Sequence, residues 1–292
     1  MILDLSQPKT DKDHKDNQCF VELWKTHVKF AVQKLWNLDT NRLTPGVDYD
    51  LNLPVIRQKG DNTPEHLFKF VSNKPSKMPT FQLFYHLLDN YIPETGIPEE
   101  VDTHELSENQ AFIKACLQTA PMIYTYNYLK AKGKFHGTEA DFEKELDTLW
   151  FKLYRREGRG QDSSAFEHVF VGEIRNGEAK AFHNWITLYF YEKAGKIDYE
   201  GFVPSKNEKP DPTSHVIPIR FTFKGALKPF STSFIGTAPE FELSMYTLLF
   251  YFGKQDTRVI LDDINLNIKI YPFYEKGGDG SKLIGSAFPE IV

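Results

Sequence analysis

The chain is poor in cysteine. Two occur in 292 residues, Cys19 and Cys116, and neither belongs to a CxxC pair or to a Cys/His cluster with metal-ligand spacing. That argues against a structural zinc site and against a disulfide-dense scaffold. Two buried free thiols are expected, with a single Cys19–Cys116 disulfide as the other arrangement the sequence allows. Long apolar runs are also missing, so nothing approaches the roughly 20 residues that a membrane-spanning helix needs. The opening MILDLSQPKTDKDHKDNQ lacks the positively charged leader and apolar run of a secretory signal, and the chain therefore reads as cytoplasmic. Positive charge is in deficit: 35 Lys and Arg against 40 Asp and Glu give a net charge of −5. A broad basic face for duplex DNA is thereby excluded, and any nucleic-acid site must be a local basic cleft.

What the chain has is apolar and aromatic mass. A hydrophobic content of 40%, with 14% aromatic residues, suffices for a substantial core. After a flexible lead over 1–18, residues 19–36 place Phe20, Leu23, Trp24, Val28, Ala31, Leu35 and Trp36 at helical spacing. A second helix is expected after Pro79, with Phe81, Phe84, Tyr85, Leu88 and Tyr91 on its apolar face. A third covers about 108–130, split or kinked at Pro121. A fourth starts at Thr138, which can cap it with Asp141 three residues on. Near residue 158 a Gly/Ser/Asp break intervenes, and short strands are then expected at 166–172, 215–223, 257–262, 266–273 and 283–287. Residues 183–193 and 239–250 read as helices, and 203–214 as a surface loop. The fold class is α+β, with a helical lobe over 19–157 and a mostly antiparallel, β-rich catalytic lobe over 158–292. With no Gly/Ser linker between them, one compact unit is expected.

Two histidines in apolar settings carry the first chemical signal: His168 in FEHVFVGE and His183 in FHNW. An imidazole titrates near pH 6.5, so one can begin neutral as a base while another begins protonated as an acid. A third segment, FKGALKPF followed by SFIGTAPEFEL, adds Lys228 as fixed positive charge.

Together these three ordered motifs resemble the EndoU family of uridylate-preferring endoribonucleases. The motif-bearing part covers roughly 154–275, and the helical first half matches only in general character and length. The resemblance implies that His168, His183 and Lys228 form the catalytic triad, with Glu167 and Glu173 supporting it. Lys224 fits the lysine role less well, lying four residues too early. Such a triad cuts RNA by removing the 2′-hydroxyl proton, stabilising the phosphorane and protonating the leaving 5′-oxygen. The ends would be a 2′,3′-cyclic phosphate and a 5′-hydroxyl, and deoxyribose at the cleavage point would block the reaction. Either histidine could be the base; the reading taken is His183 as base and His168 as acid.

The resemblance also places Tyr271 beside the bound uridine. Relatives carry a small hydroxyl residue just before or two before that tyrosine, where this chain has Ile270 and Lys269, which puts strict uridine preference in doubt. Arg155 and Arg156, with Arg159, are candidates to bind RNA phosphates. The triad requires no cofactor, whereas relatives are stimulated by Mn2+ or Ca2+. Glu167, Glu173, Glu240 and Glu242 are the hard oxygen ligands on offer, and no metal-binding spacing singles out a set. The partner expected is single-stranded RNA, with no membrane and no DNA cleavage. Two alternatives are a non-catalytic RNA-binding relative and a toxin-type RNase held by a protein inhibitor.

Overall fold

The computed structural model describes residues 28–56, 63–204, 209–274, 280 and 282–292. The expected lead over 1–18, the first part of the first helix and Cys19 lie outside the described residues; Cys116 is free and buried. Helices dominate the first half. Helix α1 occupies residues 28–38, α2 Pro79–His86, α3 Thr103–Leu117, α4 Ala120–Ala131 and α5 Glu139–Phe151.

Local chemistry explains most of these boundaries. Thr138 and Asp141 form the expected reciprocal cap at the start of α5. The long third helix divides into α3 and α4 with Pro121 in the first turn of α4, where its missing N–H costs nothing. Helix α3 begins five residues earlier than expected because Asp102 and Glu105 make a second capping box, a D-x-x-E signal that hydrophobic periodicity alone does not register.

Strands β1 (Tyr49–Leu51) and β2 (Phe68–Val71) form a small antiparallel pair. The later strands are β3 (Glu173–Arg175), β4 (Glu178–Lys180), β5 (Ile197–Phe202), β6 (Val216–Phe223), β7 (Ala226–Phe234), β8 (Asp256–Leu261), β9 (Ile264–Tyr274) and β10 (Lys282–Ile291). They make a five-stranded sheet ordered β3-β4-β7-β6-β5 and a three-stranded sheet ordered β10-β9-β8. Every pairing between these strands is antiparallel except β4 with β7. The α+β class and the mostly antiparallel character are as the sequence implies, although β1 and β2 sit in the first half.

Helices α6 (Trp185–Lys193) and α7 (Pro239–Tyr251) fall within this β-rich half. Every residue from Pro239 to Leu249 is buried, so α7 is a core helix rather than an amphipathic one. It ties the halves together: Trp150 Nε1 donates to Thr247 Oγ1 at 2.9 Å, and Thr125 Oγ1 to the Ser244 carbonyl at 3.4 Å. One hydrophobic cluster runs from Val28 to Ala287, without a break at residue 158.

The structure corrects one expected strand in an important place. Residues 167–171 are a single π-helical turn, Glu167–Val171, closed by the Gly172 N–H on the Glu167 carbonyl at 2.8 Å. The β-branched and aromatic content suggests a strand, but Phe166, Val169 and Phe170 fall at i, i+3 and i+4 and are all buried. Ser164 Oγ accepts from the Glu167 N–H at 3.1 Å, an N-cap that supports the helical alternative. An inserted π turn rotates the following residues relative to a regular helix, and such turns recur at functional sites.

Strand β7 is not among the expected strands, since Ser, Thr, Lys and Pro dilute its strand character. Its pairing with β6 sets Lys228 opposite Phe221 and Ser231 opposite Ile219. Two residues of β7, Pro229 and Phe230, thus face Arg220 alone, a bulge that accommodates a proline lacking the ladder donor. No helix among the described residues is long and apolar enough to cross a membrane.

Candidate active site

His168 lies on the π turn, and its side chain is mostly buried. Its Nδ1 is 2.7 Å from a carboxylate oxygen of Glu173, the first residue of β3. Burial alone would raise the Glu173 carboxyl, but His168, the Arg156 guanidinium and Ser163 Oγ more than reverse that and hold it well below the usual range. An ionised carboxylate only accepts, so Nδ1 carries a proton and Nε2 is the position free to exchange one. Burial lowers the His168 pKa, Glu173 opposes the shift, and Arg156 and Lys228 reinforce it.

The support of Glu173 was only partly legible. Arg156, expected to meet RNA phosphates, turns inward instead: its Nε donates to Ser163 Oγ at 3.0 Å and lies 3.5 Å from Glu173, and its Nη2 donates to the Gly285 carbonyl at 2.9 Å. It therefore fixes Glu173, with its guanidinium spread over Tyr154 and Phe273. Arg155 is exposed, as binding a phosphate requires. Glu167 is fully buried with both carboxylate oxygens unpaired. Burial, then Glu99 and Glu173, push its pKa well up.

His183 is delivered differently. Ala181 and Phe182, immediately before it, both have left-handed backbone, φ 60° and 61°, which costs on the order of 1–3 kcal/mol per residue and is characteristic of functional segments. Gly172 makes the turn possible: at φ 94° and ψ 153° it occupies a region essentially reserved for glycine, and an added Cβ would sit 2.4 Å from the Phe182 ring. Gly172→Ala should cost about 1–3 kcal/mol in backbone strain and a further ~1–3 kcal/mol in overpacking. Chemical denaturation reads this directly, and a loss below about 1 kcal/mol, the lower end of the strain alone, would contradict the packing described.

The His183 Nδ1 meets the Thr232 carbonyl at 2.8 Å. A carbonyl only accepts, so here too Nδ1 holds the proton and Nε2 is the exchangeable atom. Asn184 caps α6, accepting at Oδ1 from the N–H groups of Ile186 (2.9 Å) and Thr187 (3.3 Å). Its amide in turn donates to Glu242 Oε1 at 3.1 Å, an oxygen that also accepts from Thr237 Oγ1 at 3.0 Å. Burial raises Glu242 to about 8. The His183 ring stacks on Phe288 of β10, 4.6 Å between centroids and 18° between planes. Burial holds the His183 pKa well below 6.5, and Lys228 deepens the shift while the Thr232 carbonyl opposes it.

Lys228 projects from β7 just before its bulge. Burial, with Lys180 nearby, lowers its pKa to about 8. Lys228 depresses both histidines and His168 depresses His183, so three segments far apart in sequence share one electrostatic neighbourhood. Such a site offers two exchangeable imidazole nitrogens and one cation in partly desolvated surroundings, which suits a displacement at phosphorus.

Tyr271, 41% exposed, tilts against Phe288 with centroids 6.2 Å apart. A half-exposed aromatic face thus sits one ring away from His183. Neighbouring Ile270 is buried and Lys269 is paired with Asp256 and Glu290. Neither stands in for the small hydroxyl residue of the family pattern.

The carboxylates put forward as metal ligands do not converge. Glu173 serves His168, Glu240 accepts from Asn41 at 2.7 Å, Glu242 serves Asn184, and Glu167, near enough to Glu173 to be raised by it, has no hydrogen bond on its carboxylate. Among the described residues, no group of three or more His, Cys, Asp or Glu is arranged to hold an ion. Sequence reasoning did not single out Ser163, Thr232, Phe288 or Thr237. Asn184, directly ahead of a helical run, carried a readable cap signal; Thr232 and Phe288 are near the site through strand register, and Ser163 and Thr237 through the loops ahead of the π turn and of α7.

The family model described as "Endoribonuclease XendoU" matches residues 27–289. Uridylate-specific endoribonuclease C of Danio rerio is 37% identical over 273 residues, covering 89% of this chain and 86% of that protein. Poly(U)-specific endoribonuclease of Xenopus tropicalis is 37% identical, covering 89% and 91%. The solved structure of XendoU, described as a splicing-independent snoRNA processing endoribonuclease, superposes with a TM-score of 0.78 at 36% identity, covering 91% of this chain and 97% of that one.

Proposed function

This chain belongs to the XendoU endoribonuclease family, and from that premise we propose that it cleaves single-stranded RNA, preferably at uridines, by attack of the 2′-hydroxyl on the adjacent phosphate. The observation that carries the mechanism is the pair of buried imidazoles, each with Nδ1 committed to an acceptor and Nε2 left to move a proton beside Lys228.

His183 is the base. Its pKa is pushed well down and only a neutral carbonyl opposes the shift, so it starts unprotonated near neutral pH. His168 is the acid: burial lowers its pKa too, but the Glu173 carboxylate opposes that shift, which leaves it the more readily protonated of the two. Nε2 of His183 takes the 2′-hydroxyl proton, the 2′-oxygen bonds to phosphorus, and Lys228 neutralises the phosphorane oxygens. The bond from phosphorus to the 5′-oxygen then breaks as His168 protonates that oxygen. The products are a 2′,3′-cyclic phosphate and a 5′-hydroxyl, and a 2′-deoxy residue at the cleavage point removes the nucleophile. No step passes through a metal, and stimulation by Mn2+ or Ca2+ would act outside this proton transfer. A short RNA with one uridine, digested and weighed by mass spectrometry, tests the reading. A 3′-hydroxyl with a 5′-phosphate would refute it, since those ends require attack by water.

The lowered lysine makes the pH dependence specific. His183 must be unprotonated and His168 protonated, and both are depressed, so the acid limb and a first alkaline decline should both lie below pH 6.5. As pH rises through about 8, Lys228 loses its charge and kcat/KM should fall further. Lys228→Arg, which stays charged at all accessible pH, should lose rate at neutral pH yet show no second decline near pH 8. An alkaline limb unchanged in that variant would assign the decline to another group.

Tyr271 would stack beside the bound uridine, its half-exposed ring lying against Phe288. Tyr271→Ala should cost about 1–3 kcal/mol in kcat/KM, the usual value of a base stack on an aromatic side chain. Its half-exposed position leaves the melting temperature nearly unchanged. Equal kinetics on a uridine substrate would remove Tyr271 from base recognition.

A further inference from the structure

Where α2 meets the end of α6, the fold leaves a cavity of about 360 Å³ that the cleavage reaction does not use. Tyr85, His86, Asp89, Phe190, Lys193 and Lys196 are among its lining residues. Tyr85, expected on the apolar face of its helix, is 48% exposed and lies on Phe190 with ring centroids 4.3 Å apart. The cations at the cavity are set over rings: Lys193 Nζ is 5.7 Å from the Tyr189 centroid and Lys196 Nζ 4.8 Å from that of Tyr191. Against them the lining contributes one acid, Asp89. In a chain of net charge −5, a cavity lined by two lysines, one aspartate and a half-exposed aromatic has the chemistry to accept an anion with a flat face.

The cavity is also joined to the cleavage site. The Lys196 carbonyl accepts from the Lys224 N–H at 2.9 Å. Lys224, itself over the Phe223 ring, forms with Gly225 the turn that opens β7. Four residues later, about 13 Å at strand rise, that strand presents Lys228, with Lys180 close enough to depress it. Lys196, Lys224 and Lys228 therefore succeed one another along hydrogen-bonded backbone between the cavity and the cleavage site, with Lys180 near Lys228.

We propose that this cavity is a secondary subsite for the RNA strand, in which a base distal to the cut lies against Tyr85 while its phosphates meet Lys193 and Lys196. The proposal rests on the RNA-cleaving reading above and extends it along the strand. Aromatic stacking with a positively charged backbone track is the general mode of single-strand binding and needs no base-specific recognition. The subsite thus contributes affinity for longer RNA, and none for a substrate too short to reach it.

The test compares a uridine-containing dinucleotide with a twelve-nucleotide RNA carrying the same single uridine, for wild type, Tyr85→Ala and the double variant Lys193→Ala/Lys196→Ala. Fluorescence anisotropy on a twelve-nucleotide strand with 2′-deoxyuridine at the cut measures binding without cleavage. Dinucleotide kcat/KM is expected to stay within twofold in both variants, while KM for the long RNA and Kd for the uncleavable strand rise at least fivefold. In the lysine variant the salt slope of binding should shrink by about 0.7 for each phosphate that is no longer neutralised. Unchanged Kd for the uncleavable strand, or equal loss on both substrate lengths, overturns the subsite; the first would leave the cavity to an acidic protein partner. Absence of wild-type cleavage would refute the proposed function separately, since the anisotropy arm still reads the subsite.

Discussion

Replacing His183 by alanine should lower the single-turnover rate on a uridine-containing RNA by about 10²–10⁴-fold, the range lost with a positioned general base. Three features converge on this residue. Its Nδ1 is anchored to the Thr232 carbonyl, its ring is stacked on Phe288, and two consecutive left-handed residues deliver it. The fold maintains that geometry against backbone strain, and alanine keeps the strain while removing the proton acceptor. Stability should fall modestly, by about 0.5–1.5 kcal/mol for the lost ring pair. Circular dichroism melts separate the effects: a rate within tenfold of wild type, in a protein that melts normally, would show that His183 is not the base.

Glu173→Gln should lower the rate by a factor approaching about 10⁴, although the change adds no volume. Loss of a carboxylate that fixes a histidine tautomer has an effect of this size in serine proteases. Oε2 of Glu173 accepts from His168 Nδ1 and thereby leaves Nε2 exchangeable. A glutamine can present its amide N–H₂ to Nδ1 instead, which makes Nδ1 an acceptor and moves the ring proton to Nε2. Arg156 would also lose its buried counter-charge, and breaking a buried pair from one side typically costs about 3–5 kcal/mol.

The acid dependence of stability supplies an independent check. Glu173 has a folded pKa of about 2 against an ordinary 4.5. Its contribution is therefore complete above about pH 4.5 and disappears as pH falls toward 2. The variant should unfold with a shallower acid slope in that window. A slope equal to wild type would mean that Glu173 is not the ionised partner of His168 and Arg156.

The residues proposed to do the chemistry were named through the family resemblance that their short, local motifs carry. His168, His183 and Lys228 each stand in a segment whose order in the chain suffices to mark them. The start of α5 was legible for a similar reason, its Thr138/Asp141 cap being completed within four residues; the Asp102/Glu105 cap of α3 is just as local, but hydrophobic spacing placed that helix five residues late. The segment 166–172 was harder, because its composition satisfies a strand and its spacing satisfies a helix. The Ser164 cap and the burial of Phe166, Val169 and Phe170 decide for the helix. Arg156 shows the converse limit. A basic residue ahead of the first motif suits RNA, but the opposing Gly285 carbonyl and Glu173 carboxylate claim it, and β10 supplies one of them from 129 residues away.

By itself the sequence determined the α+β class, the Thr138 cap and the family, and through that family it named the three side chains proposed to react, since each depends on composition, spacing or a short motif. Only the tertiary structure decided what those side chains can do. It fixed both ring protons on Nδ1, lowered Lys228 to about 8, turned Arg156 inward and set Tyr271 one ring from His183. Hydrogen-bond partners, desolvation and strand register are all long-range quantities, created when β7, β10 and the π turn close on one another, and no local window of sequence contains them.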